Sequence, residues 1–199
     1  MGRRVDLISE QQVAQRAIFR LVEAHLRHER YDGSMSDELV RISFERGDSA
    51  TAILHDPETD SIVLVEQFRY PTLKGGKGWI LELPAGIIET NQSGNQEMTI
   101  RRELLEETGY EAGPMTLLYT FYPSPGASSE RLFLYYGIMQ PAGKVADGGG
   151  NHGEGEDIKT VIMPLDDALS QIASGGIVDA KTIIGLQWLK LKSLSPQTK

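Results

Sequence analysis

Arg101-Arg102-Glu103-Leu104-Leu105-Glu106-Glu107-Thr108-Gly109-Tyr110 decides the reading of this 199-residue chain. Glu103, Glu106 and Glu107 stand at i, i+3 and i+4, so a helix here carries three carboxylates on one face. Ile100, Leu104 and Leu105 are left to pack the other side. Like charges at this spacing repel by about 0.2–0.5 kcal/mol per pair. A hard cation such as Mg2+, which takes oxygen ligands, would turn that repulsion into attraction. Alone, an acidic triplet on a helix is usually a solvated face, so its meaning depends on what surrounds it. Upstream, Ser93 with Gln96 reads as a capping box at the helix start, and Gly109 reads as its stop.

Working outward, 79–83 (Trp-Ile-Leu-Glu-Leu) is a short strand that ends at Pro84-Ala85-Gly86, after a glycine-rich loop at 74–78. Residues 51–69 read as a hairpin around the turn Asp56-Pro57-Glu58-Thr59-Asp60. In front of it, 17–47 is strand-like with an Asp32-Gly33 turn, an antiparallel unit of low apolar content. Residues 1–14 are polar and read as loosely ordered. Beyond the acidic helix come strands at 117–122, 132–139 and 158–163, and helices at 165–174 and 181–192. Residues 141–157, rich in Gly, Asp and Glu, read as a mobile loop. Strands and helices mixed in this order indicate one α/β (α+β) domain with helices on the faces of a mixed sheet.

Bulk composition narrows the function classes. Apolar residues make up 40% and charged residues 24%, enough for a sizeable core. A net charge of -8 speaks against a nucleic-acid partner, which needs a basic footprint. Without cysteine there are no disulfides and no thiolate metal sites. No apolar run reaches the length of a membrane span, and the basic start has no apolar stretch behind it, so the expectation is no membrane, no signal peptide and a cytoplasmic location.

The acidic helix and its surroundings resemble the Nudix hydrolase family. The family signature is a glycine, five residues, a glutamate, seven residues, then Arg-Glu-apolar-x-Glu-Glu-x-Gly-apolar. Gly86 supplies the opening glycine and 102–110 the whole second half. Gly86 and Arg102 are 16 positions apart, two more than in that pattern. The first glutamate has no counterpart: Gln92 falls there counting forward and Gly94 counting back, with Glu89 and Glu97 nearby. The resemblance runs over about 25–192 and points to the ADP-ribose pyrophosphatase branch. It is carried by 35–47, Val65-Glu66-Gln67-Phe68-Arg69, Ser124-Pro125-Gly126 with Ser129-Glu130-Arg131, Gly153-Glu154-Gly155-Glu156-Asp157-Ile158, and Leu186-Gln187-Trp188-Leu189. Pro125 lies 15 positions after Tyr110, the distance that marks this branch.

The resemblance implies an α/β/α sandwich with a mixed sheet over 49–199, preceded by a small N-terminal antiparallel β unit over 1–48 that is exchanged in a homodimer. It implies hydrolysis of a nucleoside diphosphate sugar at its pyrophosphate, with ADP-ribose giving AMP and ribose 5-phosphate. The ligands for Mg2+, or Mn2+, would be Glu103, Glu107, Glu156 and the backbone carbonyl of Ala85. Glu154 would be the general base, Arg102 would orient the acidic cluster, and Glu106 would assist from the same face. Substrate contacts would come from Arg69, Arg41, Pro125, Gly126 and Glu130. Two alternatives stay open: a GDP-mannose hydrolase of the same family, and a Nudix-like module that senses nucleotide sugars without cleaving them.

Overall fold

The computed structural model describes residues 2–89 and 95–194, and the chain divides into two compact units. The first comprises Met1–Gly47 with Tyr122–Arg131, the second Asp48–Phe121 with Leu132–Lys199.

The first unit is a three-stranded antiparallel sheet, β1 (Val5–Arg16), β2 (Phe19–His28) and β3 (Leu39–Glu45), in that order. The expected hairpin is β2 with β3. Its Asp-Gly turn is held by Asp32, whose carboxylate accepts from the Ser34 backbone N–H at 2.9 Å, while Gly33 takes φ +84°. The expectation of loose order over 1–14 is overturned. The polar run Ser9-Glu10-Gln11-Gln12 lies inside β1, because pairing along β2 satisfies its backbone groups whatever its side chains are. Residues 122–131 dock along β3, with the Phe44 N–H donating to the Ala127 carbonyl at 2.8 Å.

The second unit holds a seven-stranded mixed sheet. Its spine runs β10 (Lys159–Pro164), β5 (Ser61–Phe68), β4 (Ser49–Asp56), β9 (Leu132–Lys144), β8 (Tyr110–Phe121). Strand β6 (Trp79–Glu82) pairs with β5 and β7 (Ala85–Ile87) with β4. The β4–β9 pair is parallel and the others are antiparallel. Because side chains alternate across a strand, β4 feeds two cores. Ile53 packs with Ile62, Leu64 and Leu134 against α2 (Leu165–Ser174) and α3 (Ala180–Leu194). Ala52 and Leu54 pack with Val63 and Phe133 against α1 (Gln96–Glu103). Helices therefore cover both faces of a mixed sheet, the α/β/α layering expected. Among the described residues no helix is long and apolar enough to cross a membrane.

Several local expectations are revised. Helix α1 is capped by Asn95, whose side chain accepts from the Met98 N–H at 3.0 Å; Ser93 lies outside the described residues, as do Gln92 and Gly94. Where the strand at 79–83 is expected to end, residues 85–87 form a further strand, β7, paired with the first residues of β4. Strand β8 begins at Tyr110, well before 117, directly after the αL glycine Gly109. The 141–157 segment is tied down: β9 continues to Lys144, and the N–H groups of Gly149 and Gly150 donate to the carbonyls of Glu107 and Glu106, both at 2.9 Å.

Candidate active site

The site in the second unit is built on the end of α1. The helix is α-helical through Glu103 and then opens into a π-helical turn, Leu104–Thr108, closed by Gly109 at φ +77°. This replaces the uniform α-helix expected from spacing, and such π turns are frequent at functional sites. The three carboxylates consequently differ in environment. Glu107 is 2% exposed, Glu103 is largely buried, and Glu106 reaches solvent. Arg102 spans the outer pair, donating Nη2 to Glu103 Oε1 and Nη1 to Glu106 Oε2, both at 2.7 Å.

Gly86 explains why the opening glycine and the helix belong together. A Cβ built on Gly86 would overlap the Glu103 carboxyl, so only glycine lets that side chain lie against the β7 backbone next to Ala85. The loop glycines act alike. A Cβ on Gly148 would fall 2.6 Å from the Thr108 carbonyl carbon, and one on Gly150 2.8 Å from Glu156 Oε2. The run thus lets the chain lie on the π turn and bring Glu156 to it. There the Glu156 carboxylate accepts from the Asn151 N–H at 2.9 Å. Glu154 closes the short 3-10 turn His152–Glu154; its side chain lies outside the described residues.

Electrostatics single out Glu107. Burial pushes its carboxyl well above the ordinary carboxylate range; Glu103, Glu82 and Glu156 push the same way, against the opposing charge of Arg69. Its Oε2 is buried and has no hydrogen-bond partner among the described residues. Also among the described residues, no three acidic or imidazole groups stand at mutual distances that would already cage an ion. The donor set is nevertheless the all-oxygen kind that a hard divalent cation takes, and a positive charge at Glu107 Oε2 would relieve both the unmet acceptor and the crowding of carboxylates.

Arg69, at the end of β5, is held by a residue that sequence reasoning passed over. Its Nε donates to Glu82 Oε1 at 2.8 Å. Glu82 is 2% exposed and its other oxygen accepts from Lys181, which is itself 3.1 Å from Asp179. Burial pulls the Arg69 pKa down, but Glu82, Glu107 and Asp179 raise it by more. A signal for Glu82 existed: one carboxylate inside the apolar run 79–83 has to be paired if that strand is buried. For Lys181 and Asp179 there was none, since both read as the ordinary polar start of a helix.

The remaining residues singled out lie in the first unit. Arg41, Pro125 and Gly126 line one cavity of about 450 Å³ together with Tyr122, Ser128 and Ser129. Glu130 lies 3.6 Å from Arg46, and its backbone N–H donates to the Ser128 hydroxyl oxygen at 3.2 Å. Tyr122, missed in the sequence, shares this cavity because the chain reverses at Ser124, whose carbonyl accepts from Ala127 and Ser128.

Residues 45–186 match a family model described as the NUDIX domain. A GDP-mannose pyrophosphatase of Yersinia pestis (strain Pestoides F) is 37% identical over 172 residues, covering 83% of this chain and 84% of its own. One from Cronobacter sakazakii (strain ATCC BAA-894) is 35% identical over 175 residues, covering 85% and 89%. A solved structure described as an ADP compounds hydrolase shares the fold with a TM-score of 0.71 and 18% identity, covering 96% of this chain and 97% of that one.

Proposed function

The chain belongs to the NUDIX family, and from that premise we propose that it hydrolyses the pyrophosphate of a nucleoside diphosphate sugar. The observation that carries the reading is the acidic surface of α1 and its π turn, where a buried carboxylate oxygen of Glu107 lacks a partner among the described residues and faces further carboxylates. A sensing module has no need to collect Glu103, Glu106, Glu107 and Glu156 around one segment at such electrostatic cost.

Mg2+, or Mn2+, would be held by Glu103, Glu107, Glu156 and the Ala85 carbonyl, and when bound would supply Lewis-acid polarisation of the phosphoryl oxygens and acidification of water. The chain's own side chains do the rest. Arg69 presents a planar fork to phosphate oxygens. Arg102 holds Glu103 and Glu106 in register. Glu154 takes the proton from the attacking water. One P–O bond of the bridge breaks as the water oxygen bonds to phosphorus, and the leaving phosphate carries away the bridging electron pair.

Among substrates, GDP-mannose ranks first, because the likeness to the pyrophosphatases named for it runs along most of the chain. ADP-ribose is the second reading, favoured by Ser124-Pro125-Gly126, by Ser129-Glu130-Arg131 and by the position of Pro125. We further propose a homodimer that covers the exposed apolar residues of the N-terminal sheet, with Arg41 serving the neighbour's substrate; two-fold dimers are the commonest assembly. A panel of GDP-mannose, ADP-ribose, NADH and nucleoside triphosphates with millimolar Mg2+ tests the activity, with products resolved by chromatography. GMP with mannose 1-phosphate is expected as the main outcome. Binding without release of any monophosphate would favour the sensing module instead.

A further inference from the structure

Strand β6 carries one carboxylate in an apolar run, and it is among the most buried charges of the described chain. Its surroundings form a closed ring. Glu82 takes Lys181; Lys181 reaches Asp179; the Asp179 carboxylate accepts from the Thr182 N–H at 3.0 Å and its hydroxyl at 2.6 Å. The Thr182 oxygen in turn accepts from the Leu83 N–H at 2.8 Å, next to Glu82. The ring therefore holds the Glu82 carboxylate through Lys181 and the adjoining backbone N–H of Leu83 through Thr182, joining β6 to the start of α3. Within it Glu82, Asp179 and Lys181 leave one negative charge over, and Arg69 is the cation that balances it.

Arg69 is the outward member. Its side chain is 42% exposed, against 2% for Glu82 and 9% for Lys181. It spends Nε on Glu82, an edge contact that sets the plane of the guanidinium and leaves the Nη fork out of the pair. The charge of Glu107 reaches Arg69 from the acidic surface. A long side chain at a strand end would otherwise sample many rotamers, a freedom that substrate would have to remove on binding.

We propose that Glu82 is a positioning residue, whose buried carboxylate, clamped by Lys181 that Asp179 holds in turn, aims the Arg69 fork at the substrate pyrophosphate. The proposal rests on the nucleoside diphosphate sugar reading. A merely structural ring would need only the charge of Arg69; it would not need the Nη fork left out of the pair on a half-exposed side chain.

The test is a double-mutant cycle in the full chain with GDP-mannose and ADP-ribose, using Glu82→Gln, Arg69→Met and the pair. Glu82→Gln is expected to raise KM about tenfold with kcat changed far less, because a grip on the shared pyrophosphate is ground-state binding. The pair should be no worse than Arg69→Met alone, to within about twofold to threefold, since residues that act as one unit are not additive. Multiplying effects, or a loss confined to kcat, overturn the proposal. A second measurement needs no folded variant of Glu82: the Arg69 Nε–H resonance of the wild-type protein, identified by its loss in Arg69→Met, is expected to be slowly exchanging and rigid without substrate. An Nε–H that exchanges like a free arginine overturns the proposal as well. If the wild type cleaves neither sugar nucleotide, the functional reading fails, and the resonance still reports whether Glu82 holds Arg69.

Discussion

Strands β4 and β1 are both well hydrogen-bonded, yet their side chains live in different worlds. Seven of the eight residues of β4 are buried, feeding a core on each face, whereas none of the twelve in β1 is. Strand β3 resembles β1: Val40, Ile42 and Phe44 stay 49%, 46% and 40% exposed, with Phe44 stacked on Phe19 at 5.5 Å between ring centroids. The second unit closes its own core with helices, while the first keeps a sheet whose apolar residues want a cover. Backbone pairing makes a strand, but burial makes a self-sufficient domain. Chemistry should accordingly reside in the second unit, and assembly in the first.

The sharpest way to break that division is to remove the carboxylates of α1 and its π turn. Glu103→Gln and Glu107→Gln should each lower turnover by about 10²–10³, the rate equivalent of several kcal/mol of lost transition-state stabilisation. The Glu107→Gln protein without metal should melt no lower than the wild type, because it sheds a buried carboxylate with an unpartnered oxygen. Initial rates at millimolar Mg2+ and melting in chelator read both effects. Near-normal turnover in both variants would remove the chemistry from this helix.

A smaller effect should come from the first unit. Val40→Glu combined with Phe44→Glu puts charge on its exposed apolar face. The expected result is a shift from dimer to monomer in sedimentation and a fall in kcat/KM of about thirtyfold, the equivalent of one interfacial hot spot. The melting of the second unit should not change. A wild-type chain that sediments as a monomer at micromolar concentration would show that this sheet is covered by something else, or by nothing.

How much of this was legible in advance follows the same division. The second unit declares itself because its signals are local. The bounds of α2 coincide with the 165–174 reading, and 51–69 is the hairpin of β4 and β5. Periodicity also placed Glu103 and Glu107 on one helix, but it could not see the π turn that buries one and leaves Glu106 in solvent. Around it Gly86, Gly148 and Gly150 let backbone and carboxylate approach closely, a tertiary matter. The glycine run at 148–150 was read as freedom and turned out to be packing. Strand β1 was missed because its polar sequence has no alternation, and only its partner β2 makes it a strand. The Glu82 ring joins residues almost a hundred positions apart, and no spacing rule reaches that far.

Within the second unit the glycines give a graded test of packing against backbone strain. Gly143 and Gly148 both take positive φ, +70° and +67°. A Cβ at Gly143 meets nothing within 4 Å, whereas one at Gly148 collides with the Thr108 carbonyl. Gly143→Ala should cost about 1 kcal/mol, the left-handed penalty alone. Gly148→Ala should cost about 1–3 kcal/mol and lower kcat severalfold by lifting Glu156 off the π turn. Denaturant midpoints and steady-state rates decide it. Equal losses in the two variants would return this segment to the status of a loose loop.

The smallest effect concerns the first sheet and is read by pH. His25 on β2 has its Nδ1 2.8 Å from Glu38 Oε1 and its Nε2 3.5 Å from Glu23. The hydrogen bond to Glu38 raises its pKa above 6.5; slight burial opposes this, and Glu23 adds to the rise. A histidine whose folded pKa is raised stabilises the fold fully below its unfolded pKa, and that contribution is lost as pH rises through the folded value. Between about pH 6 and pH 8 the three-stranded sheet should therefore loosen slightly; β4 carries a histidine–carboxylate pair of its own, His55 Nε2 3.0 Å from Asp60 Oδ1, so the reference is the His25→Gln variant. Amide hydrogen exchange, corrected for its intrinsic pH dependence, should show protection falling in β2 and β3 of the wild type. The site is exposed, so the change should be small and should shrink in salt. His25→Gln should abolish that fall in β2 and β3. If the pH dependence persists in that variant, the first unit is held by something other than the His25–Glu38 pair.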